Sequence, residues 1–154
     1  MQSLLEKEKS MNINDLYIPE DVDEDMKEDF IEILNTIPEN WGRWVTLDKG
    51  WYKLVIDTHK KLKYIDPNYQ IHQIKEKFGG LRYYYQSSFP YGSMQDEIMQ
   101  AIVNNAEEIA SKTCETCGIY DYKARVETRV RNHWYKTLCR DCAIEQGYIN
   151  EEEN

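Results

Sequence analysis

The four cysteines of this 154-residue chain constrain its fold more than any other feature. They form two CxxC pairs, Cys114 with Cys117 and Cys139 with Cys142, separated by 21 residues. Two residues between thiolates let one tight turn present both sulfurs to a tetrahedral ion, and a second pair closes the coordination shell. Gly118 suits such a turn because glycine accepts positive φ angles. The spacing predicts one structural zinc ion, with no coordination position left for catalysis.

Two disulfides, or a redox-active CxxC, are the alternative uses of paired cysteines. A thioredoxin-like motif needs one pair near a βαβ pattern, whereas two pairs here flank a predicted hairpin with strands at residues 124–130 and 134–138. The second pair opens a helix, whose N-terminus favours thiolate charge. A turn, a hairpin and a helix give the treble-clef order. His133 is predicted to be a turn residue, because four thiols already fill the shell.

Upstream of the cysteines, the hydrophobic periodicity alternates between helix and strand. Asp23 is placed to cap a helix that ends near Pro38, and a second amphipathic helix is predicted at residues 50–64. Residues 69–86 change to a period of two around Gly79 and Gly80, which predicts a hairpin with Phe78 and alternate tyrosines in the core. Ser93 followed by Asp96 then predicts a capped helix that leads directly into Cys114.

These elements predict an α+β protein in which a small helix and β-hairpin domain is fused to a C-terminal treble-clef-like zinc module. We divide the chain into an acidic, partly flexible arm at residues 1–22, an α+β domain at 23–111 and the zinc module at 112–154. The hydrophobic content of 41% suffices for one modest core. No flexible linker precedes the cysteines, so we expect a rigid junction.

The charge is distributed unevenly along the chain. The net charge is −9, and residues 1–40 alone carry 12 acidic and 3 basic side chains. Asp15 and Glu20 lead into what we call the acidic strip, which consists of Asp21, Asp23, Glu24, Asp25, Glu28 and Asp29. One hypothesis is that the strip meets a basic groove on a protein partner. The alternatives are a solvated helix face and internal pairing with basic residues of the body.

The segment KEKFGGLRYYY, which starts at Lys75, is the second distinctive feature. Lys75, Lys77 and Arg82 supply positive charge, Gly79 and Gly80 are placed to expose backbone N–H groups, and the tyrosines offer rings for stacking. One hypothesis is an anion or nucleotide site. The alternative is an ordinary hairpin whose apolar residues pack inward while its charges lie in water. Basic residues also occur around the predicted zinc hairpin, at Arg125, Arg129, Arg131 and Lys136.

Neither catalysis nor membrane insertion is predicted. The chain lacks the HxE motif of zinc deaminases and the HExxH motif of metalloproteases, and its three histidines, His59, His72 and His133, fall in different predicted elements. We therefore expect no enzyme. No segment has about 18 uncharged apolar residues, and the first residues lack the order of a secretory signal. We expect a soluble cytoplasmic protein.

Residues 50–142 resemble a group of small, uncharacterised zinc proteins encoded by phages, prophages and bacteria. The resemblance rests on Gly50 and Trp51 before an apolar helix, on KEKFGGLR with its tyrosines, on CETCG and on WYKTLC. It implies a zinc module and a mobile-element origin, and residues 1–40 lie outside it. By analogy, we expect a non-catalytic protein that binds and inhibits a host or defence protein in the host cytoplasm. The alternative is nucleic-acid or nucleotide binding by the basic hairpins.

Overall fold

The structure is a computed structural model that describes residues 16–152. Within this range the chain forms helices at Lys27–Asn35 (α1), Tyr52–Ile65 (α2), Met94–Ala110 (α3) and Arg140–Glu145 (α4). The strands are Val45–Thr46 (β1), Gln70–Lys77 (β2), Gly80–Gln86 (β3), Glu127–Arg131 (β4) and Trp134–Leu138 (β5). The protein is therefore of the α+β class, with its four cysteines clustered in the C-terminal region.

The first sheet has three strands in the order β1-β2-β3. Strands β2 and β3 form the predicted antiparallel hairpin, and β1 pairs in parallel with β2, so that Val45 lies opposite Ile74. The sequence analysis did not predict β1. Its two residues are too short for a periodic pattern, and its pairing depends on β2, which lies nearly 30 residues further along the chain.

The main core lies between one face of this sheet and helices α1, α2 and α3. Each element contributes its apolar face, as the sequence periodicity predicted. The largest fully buried side chains of this cluster are Trp51, Phe30, Ile33, Leu34, Ile37, Leu62, Ile71, Ile74 and Met99. The opposite face of the sheet carries the polar and charged strand residues, and it is open to solvent.

Of the two predicted helix N-cap residues, Asp23 and Ser93, only Ser93 makes a capping hydrogen bond. Asp23 precedes a single 3-10 turn, Glu24–Met26, but its carboxylate pairs with Lys49 at 2.9 Å and makes no capping bond. Ser93 does cap α3, because its hydroxyl oxygen accepts a hydrogen bond from the Asp96 N–H at 3.3 Å. The first helix therefore gains a tertiary ion pair where a local cap was predicted.

The prediction that Phe78 packs in the core is wrong. Phe78 lies in the β2–β3 turn with φ +54°, and 65% of its surface is exposed. Its ring meets Tyr135 edge-on, with 5.7 Å between the ring centres. The alternation resumes after the turn, because Tyr83 is buried while Tyr84 is exposed.

The described part of the predicted N-terminal arm packs against the core. Leu16, Ile18 and Val22 contact the main cluster, and the Tyr17 N–H donates to the Arg43 carbonyl at 3.0 Å. Residues 16–22 therefore lie with the helical body. Asp15 and the rest of the predicted arm lie outside the described residues.

The C-terminal module follows the predicted order of turn, hairpin and helix. Strands β4 and β5 pair antiparallel around a two-residue turn, where Asn132 and His133 have φ angles of +49° and +69°. Two positive φ angles match the right-handed twist of a tight hairpin. The prediction that His133 is a turn residue is confirmed, and α4 begins directly after Cys139.

Candidate metal centre and open sheet face

The four cysteines meet at one point between the first CxxC turn and the start of α4. Their sulfur atoms all lie within 4.8 Å of one another, and the Cys117 and Cys139 sulfurs are 3.8 Å apart. Cys114, Cys139 and Cys142 are buried, while Cys117 is exposed. Four converging sulfurs with no intervening side chain could hold a metal ion.

Backbone hydrogen bonds shape both ligand pairs. The Gly118 N–H donates to the Cys114 carbonyl at 2.9 Å, with Gly118 at φ +79°, so the first pair sits on a tight turn. Cys139 is the N-cap of α4, and its sulfur accepts from the Cys142 N–H at 3.4 Å. The helix start thereby brings the second pair of sulfurs to the first pair.

The protonation of these thiols fits a metal site. Burial raises the pKa of Cys114, but backbone N–H groups, including that of Cys117, outweigh it and hold this pKa below its usual value. Burial and the neighbouring thiols raise the pKa values of Cys117 and Cys142. Four crowded thiols therefore cannot all ionise without a compensating cation, and a bound divalent ion supplies that compensation.

The metal module is joined to the body at Gly50. The Gly50 N–H donates to the Glu115 carbonyl at 2.7 Å, and a Cβ at this position would lie 2.2 Å from the Cys114 carbonyl oxygen. Trp51, the next residue, donates its indole N–H to the Thr113 carbonyl at 2.8 Å. Only glycine permits this approach, so the start of α2 rests directly on the first CxxC turn.

Glu115 lies inside this junction and was not singled out from the sequence. The side chain is buried, and its carboxylate accepts a hydrogen bond from the Thr137 N–H at 2.6 Å. Burial raises the pKa of Glu115 to about 7. The only feature of the sequence that marks Glu115 is its position between the two cysteines of CETC. Glu115 links the CxxC turn to β5.

The turn between β2 and β3, which contains Gly79, also contacts the β4–β5 hairpin. Gly79 is buried at φ +79°, and a Cβ there would lie 2.8 Å from the Thr128 methyl group. Its N–H donates to the Glu76 carboxylate at 2.6 Å, so a carboxylate already occupies the backbone group that was assigned to an anion. Gly80 has no positive φ angle and lies in β3. Gly79 therefore serves packing, and the geometry favours the structural interpretation of this turn.

The three cations of KEKFGGLR lie away from the glycine contacts. Lys75 and Arg82 are direct partners across β2 and β3, and Thr46 completes the row on β1. Within the described part of the chain, no carboxylate lies within 4.0 Å of Lys75, Lys77 or Arg82. Two like charges directly opposite each other destabilise a sheet. The structure thus keeps an unneutralised positive pair on the solvent side of the sheet.

Aromatic rings surround this positive pair. We use the name open face for the solvent side of the sheet together with its flanking rings: Thr46, His72, Gln73, Lys75, Arg82, Tyr84 and Trp41. The Lys75 ammonium lies 5.9 Å from the centre of the Tyr84 ring, and Trp41 lies 4.4 Å from His72 between ring centres. Both Trp41 and Tyr84 are 47% exposed. The WGRW sequence around Trp41 signals exposed rings only weakly, and the sequence analysis missed it.

Most of the basic side chains on and beside the β4–β5 hairpin of the metal module make contacts within the protein. The Arg129 guanidinium donates to the Leu138 and Arg125 carbonyls at 3.1 and 2.5 Å, and Arg131 donates to the Gln146 carbonyl at 2.9 Å. Lys136 forms an ion pair with Asp48. Arg125 has an exposed side chain. This second basic set therefore stabilises the module and its junction.

In the acidic strip, too, some residues make contacts within the protein and others are left exposed. Asp23 pairs with Lys49 at 2.9 Å and Asp29 with Lys60 at 3.5 Å, while the Tyr52 hydroxyl donates to the Asp21 carboxylate at 2.7 Å. The exposed members with no such contact among the described residues are Glu24, Asp25 and Glu28. Half of the strip thus helps to hold the N-terminal segment to α2, as the internal-pairing alternative predicted.

A buried hydrogen-bond chain crosses the core beside the open face. The Tyr83 and Tyr69 hydroxyls are 3.0 Å apart, Tyr69 lies 2.6 Å from His59 Nδ1, and His59 Nε2 lies 3.1 Å from the Glu32 carboxylate. A neutral His59 that donates through Nε2 and accepts through Nδ1 satisfies every link. Burial lowers the pKa of His59, which favours this neutral form.

The fold and the site together define an α+β protein with a cluster of four cysteines that could hold a metal ion. The chain matches no protein-family model, no curated protein and no solved structure. In residues 16–152, none of the helices has both the length and the apolar character that crossing a bilayer requires.

Proposed function

We propose that this is a non-catalytic, zinc-stabilised binding protein whose open face binds single-stranded nucleic acid. The observation that carries the proposal is the pair formed by Lys75 and Arg82, which lie opposite each other and beside the exposed Tyr84 ring, with no carboxylate of residues 16–152 within 4.0 Å of either cation. Positive charge binds the phosphate backbone, and flat rings stack on unpaired bases.

Zinc is the metal that the donor set favours. Four thiolates in two CxxC pairs form a closed tetrahedral site, and the soft sulfur ligands exclude magnesium and calcium. The ion would be held by Cys114, Cys117, Cys139 and Cys142, and it would supply folding energy without an open coordination position. Its role is to fix the hairpin against which the Gly79 turn rests.

A sheet face is a suitable platform for single strands. Side chains on one face of neighbouring strands lie side by side, so rings and cations are presented together in one plane. Single strands leave their bases free to stack on such rings, whereas a duplex hides them. The residues of the acidic strip belong to α1 and the segment before it and not to β2 or β3, so the net charge of −9 does not describe this face.

The second candidate is a host protein as the partner, with the acidic strip as the contact. The observation that favours it is the exposed trio Glu24, Asp25 and Glu28, which has no ion pair among the described residues. A protein inhibitor of mobile-element origin would use such a surface against a basic groove. Neutralising this trio should abolish that binding and leave oligonucleotide binding unchanged.

The test is fluorescence anisotropy with a labelled oligothymidylate at several salt concentrations. The wild-type protein should bind, with affinity that falls steeply as salt rises. Lys75→Gln combined with Arg82→Gln should weaken binding at least about tenfold and reduce the slope of log affinity against log salt by about 1.4. The matched control is Lys61→Gln combined with Lys123→Gln, which removes the same charge from two exposed positions outside the open face. Absence of binding at low salt would refute the proposal.

A further inference from the structure

A groove of about 590 Å³ runs from the open face over the edge of β3 to helix α3. His72 and Tyr84 belong to both surfaces, so the groove is continuous with the open face. Strand β3 is the last strand of its sheet, and α3 lies beside that edge. A nucleic-acid strand that is bound across the open face could therefore place one of its bases in the groove.

The two walls of the groove differ in chemistry. One wall presents aromatic rings, among them Tyr85 and Phe89. The other is one face of α3, where polar side chains recur at helical spacing: Asp96, Gln100, Asn104 and Glu107. Among the residues that the structure describes, no Lys or Arg side chain lines the groove. Rings opposite amides and carboxylates provide both stacking and hydrogen bonds for a flat ligand.

The carboxylates of this wall are only partly used. Glu107 accepts through Oε2 from the Tyr83 N–H at 3.1 Å, and Asp96 accepts through Oδ2 from the Gly92 N–H at 3.0 Å. The Gln100 and Asn104 amides are exposed and have no side-chain hydrogen bond within the described residues. Each carboxylate thus keeps one free oxygen, and its engaged oxygen keeps a second lone pair, so both oxygens can accept, whereas an ionised carboxylate cannot donate.

We propose that the groove binds an unpaired base that carries an exocyclic amino group, with guanine preferred. This inference rests on the proposed function of the open face. Guanine presents a ring N–H and an amino group side by side, so it can donate two parallel hydrogen bonds to one carboxylate such as Glu107. Adenine and cytosine offer one amino group. Thymine and uracil place carbonyl oxygens beside their single N–H, and an acceptor wall repels these oxygens.

The charges of the two surfaces give the nucleotide a fixed orientation. The carboxylates of Asp96 and Glu107 repel phosphate, while Lys75 and Arg82 attract it. The base therefore enters the groove, and the backbone stays over the cations of the open face. A phosphate bound alone in the groove is disfavoured by the same charges.

The test uses four labelled oligothymidylates that differ only at the central position, which is dT, dG, dA or dC. The wild-type protein should bind the dG oligonucleotide about tenfold more tightly than oligothymidylate, as one bidentate contact allows. The dA and dC oligonucleotides should fall between these two. Anisotropy at one fixed salt concentration gives the four affinities.

Two variants with the same change of charge separate the groove from the rest of α3. Glu107→Gln keeps an oxygen for the Tyr83 N–H but removes the carboxylate, so it should abolish the preference for dG while oligothymidylate affinity stays within about twofold. Glu108→Gln is the control, because Glu108 pairs with Lys112 at 3.6 Å and does not line the groove. The control should keep the preference.

The outcomes distinguish this inference from the proposed function. Equal affinity for all four oligonucleotides, or loss of the preference in both variants, would overturn the base site and leave binding by the open face intact. Failure to bind any oligonucleotide would overturn the proposed function, and the base site with it. A preference for dG that Glu107→Gln removes and Glu108→Gln keeps would support the site.

Discussion

The Thr137 hydroxyl donates a hydrogen bond to the Gly79 carbonyl at 2.6 Å, across 58 residues of sequence. Thr128 completes the contact, because its hydroxyl lies 2.9 Å from that of Thr137. The turn of the first hairpin therefore rests on the hairpin of the metal module. Together with Gly50 under the Cys114 carbonyl, this contact makes two glycines points of close approach between body and module.

The first prediction separates the two glycines of KEKFGGLR. Gly79→Ala should lower the free energy of unfolding by about 1–3 kcal/mol, because alanine disfavours a φ of +79° and its Cβ would crowd the Thr128 methyl group. Gly80→Ala is the control, since the nearest atom to its Cβ would be the Lys77 carbonyl oxygen at 3.5 Å. Urea unfolding measures both. Equal losses in the two variants would contradict the docking role of Gly79.

The sequence could predict the cysteine cluster because its four residues come from two local motifs. Cys114 and Cys117, like Cys139 and Cys142, are brought together by one turn each, so their spacing carries the geometry. The helices and the first hairpin were predicted for the same reason, since their periods are local. The contact of Gly79 with Thr137 and the pairing of β1 with β2 are long-range, and no local pattern encodes them.

The sequence was less informative about which surface residues are free. The sequence alone does not distinguish Arg129 and Arg131 from Lys75 and Arg82, because all four are basic residues on predicted hairpins. Only the structure shows that the first two donate to backbone carbonyls, whereas the second two face solvent. The prediction for Phe78 failed because the hairpin turn begins one residue before the glycines.

The second prediction concerns the metal. Purified protein should contain close to one zinc ion per chain, and Co²⁺ replacement should give the visible absorption bands of a tetrahedral thiolate site. Cys114→Ser and Cys139→Ser should each lose the metal, because three thiolates no longer close the shell. Elemental analysis and Co²⁺ spectra are the measurements. Metal-free protein with unchanged stability would contradict a structural zinc site.

The third prediction is that metal removal destabilises the whole protein. Because Gly50 and Gly79 both contact the module, the body and the metal hairpin should unfold in one transition. Chelation should shift that transition to lower denaturant for the helical circular dichroism, which comes mainly from α1, α2 and α3 of the body, as well as for the release of the metal module. Two separate transitions, with only one sensitive to chelator, would show that the units are independent.

The fourth prediction concerns pH and His59. Burial lowers the pKa of His59 in the folded protein, so the unfolded chain binds the extra proton first as the pH falls. The His59 contribution to stability should therefore decrease as the pH drops below about 6.5, the unfolded value for histidine, while the raised pKa of Glu115 acts in the opposite direction over the same range. The bond to Lys63 lowers the pKa of Glu32, which adds a further loss of stability below about pH 4.3.

Urea unfolding of wild type and variants between about pH 8 and about pH 5 tests the histidine contribution, because the contribution of Glu115 is common to all of them and cancels in the comparison. His59→Gln should lower stability at neutral pH by breaking the link to Tyr69, and it should remove the part of the pH dependence below about pH 6.5 that comes from His59. His133→Asn, in an exposed turn, is the control and should leave the dependence unchanged. An identical pH dependence in wild type and His59→Gln would exclude His59 as its source.

The fifth prediction separates two contributions of the open face to oligonucleotide binding, which are ring stacking and positive charge. Tyr84→Ala should weaken oligothymidylate binding by about 1–3 kcal/mol without changing the salt slope, because a lost stacking partner releases no counterions. Tyr64→Ala is the control, since Tyr64 is 87% exposed on α2 and lies outside the open face. Combining Tyr84→Ala with Lys75→Gln should cost less than the sum of the single changes, because the Lys75 ammonium lies over the Tyr84 ring and the two residues are coupled. Strict additivity, or a salt slope that falls with Tyr84→Ala alone, would show that ring and cation do not act on the strand as one surface.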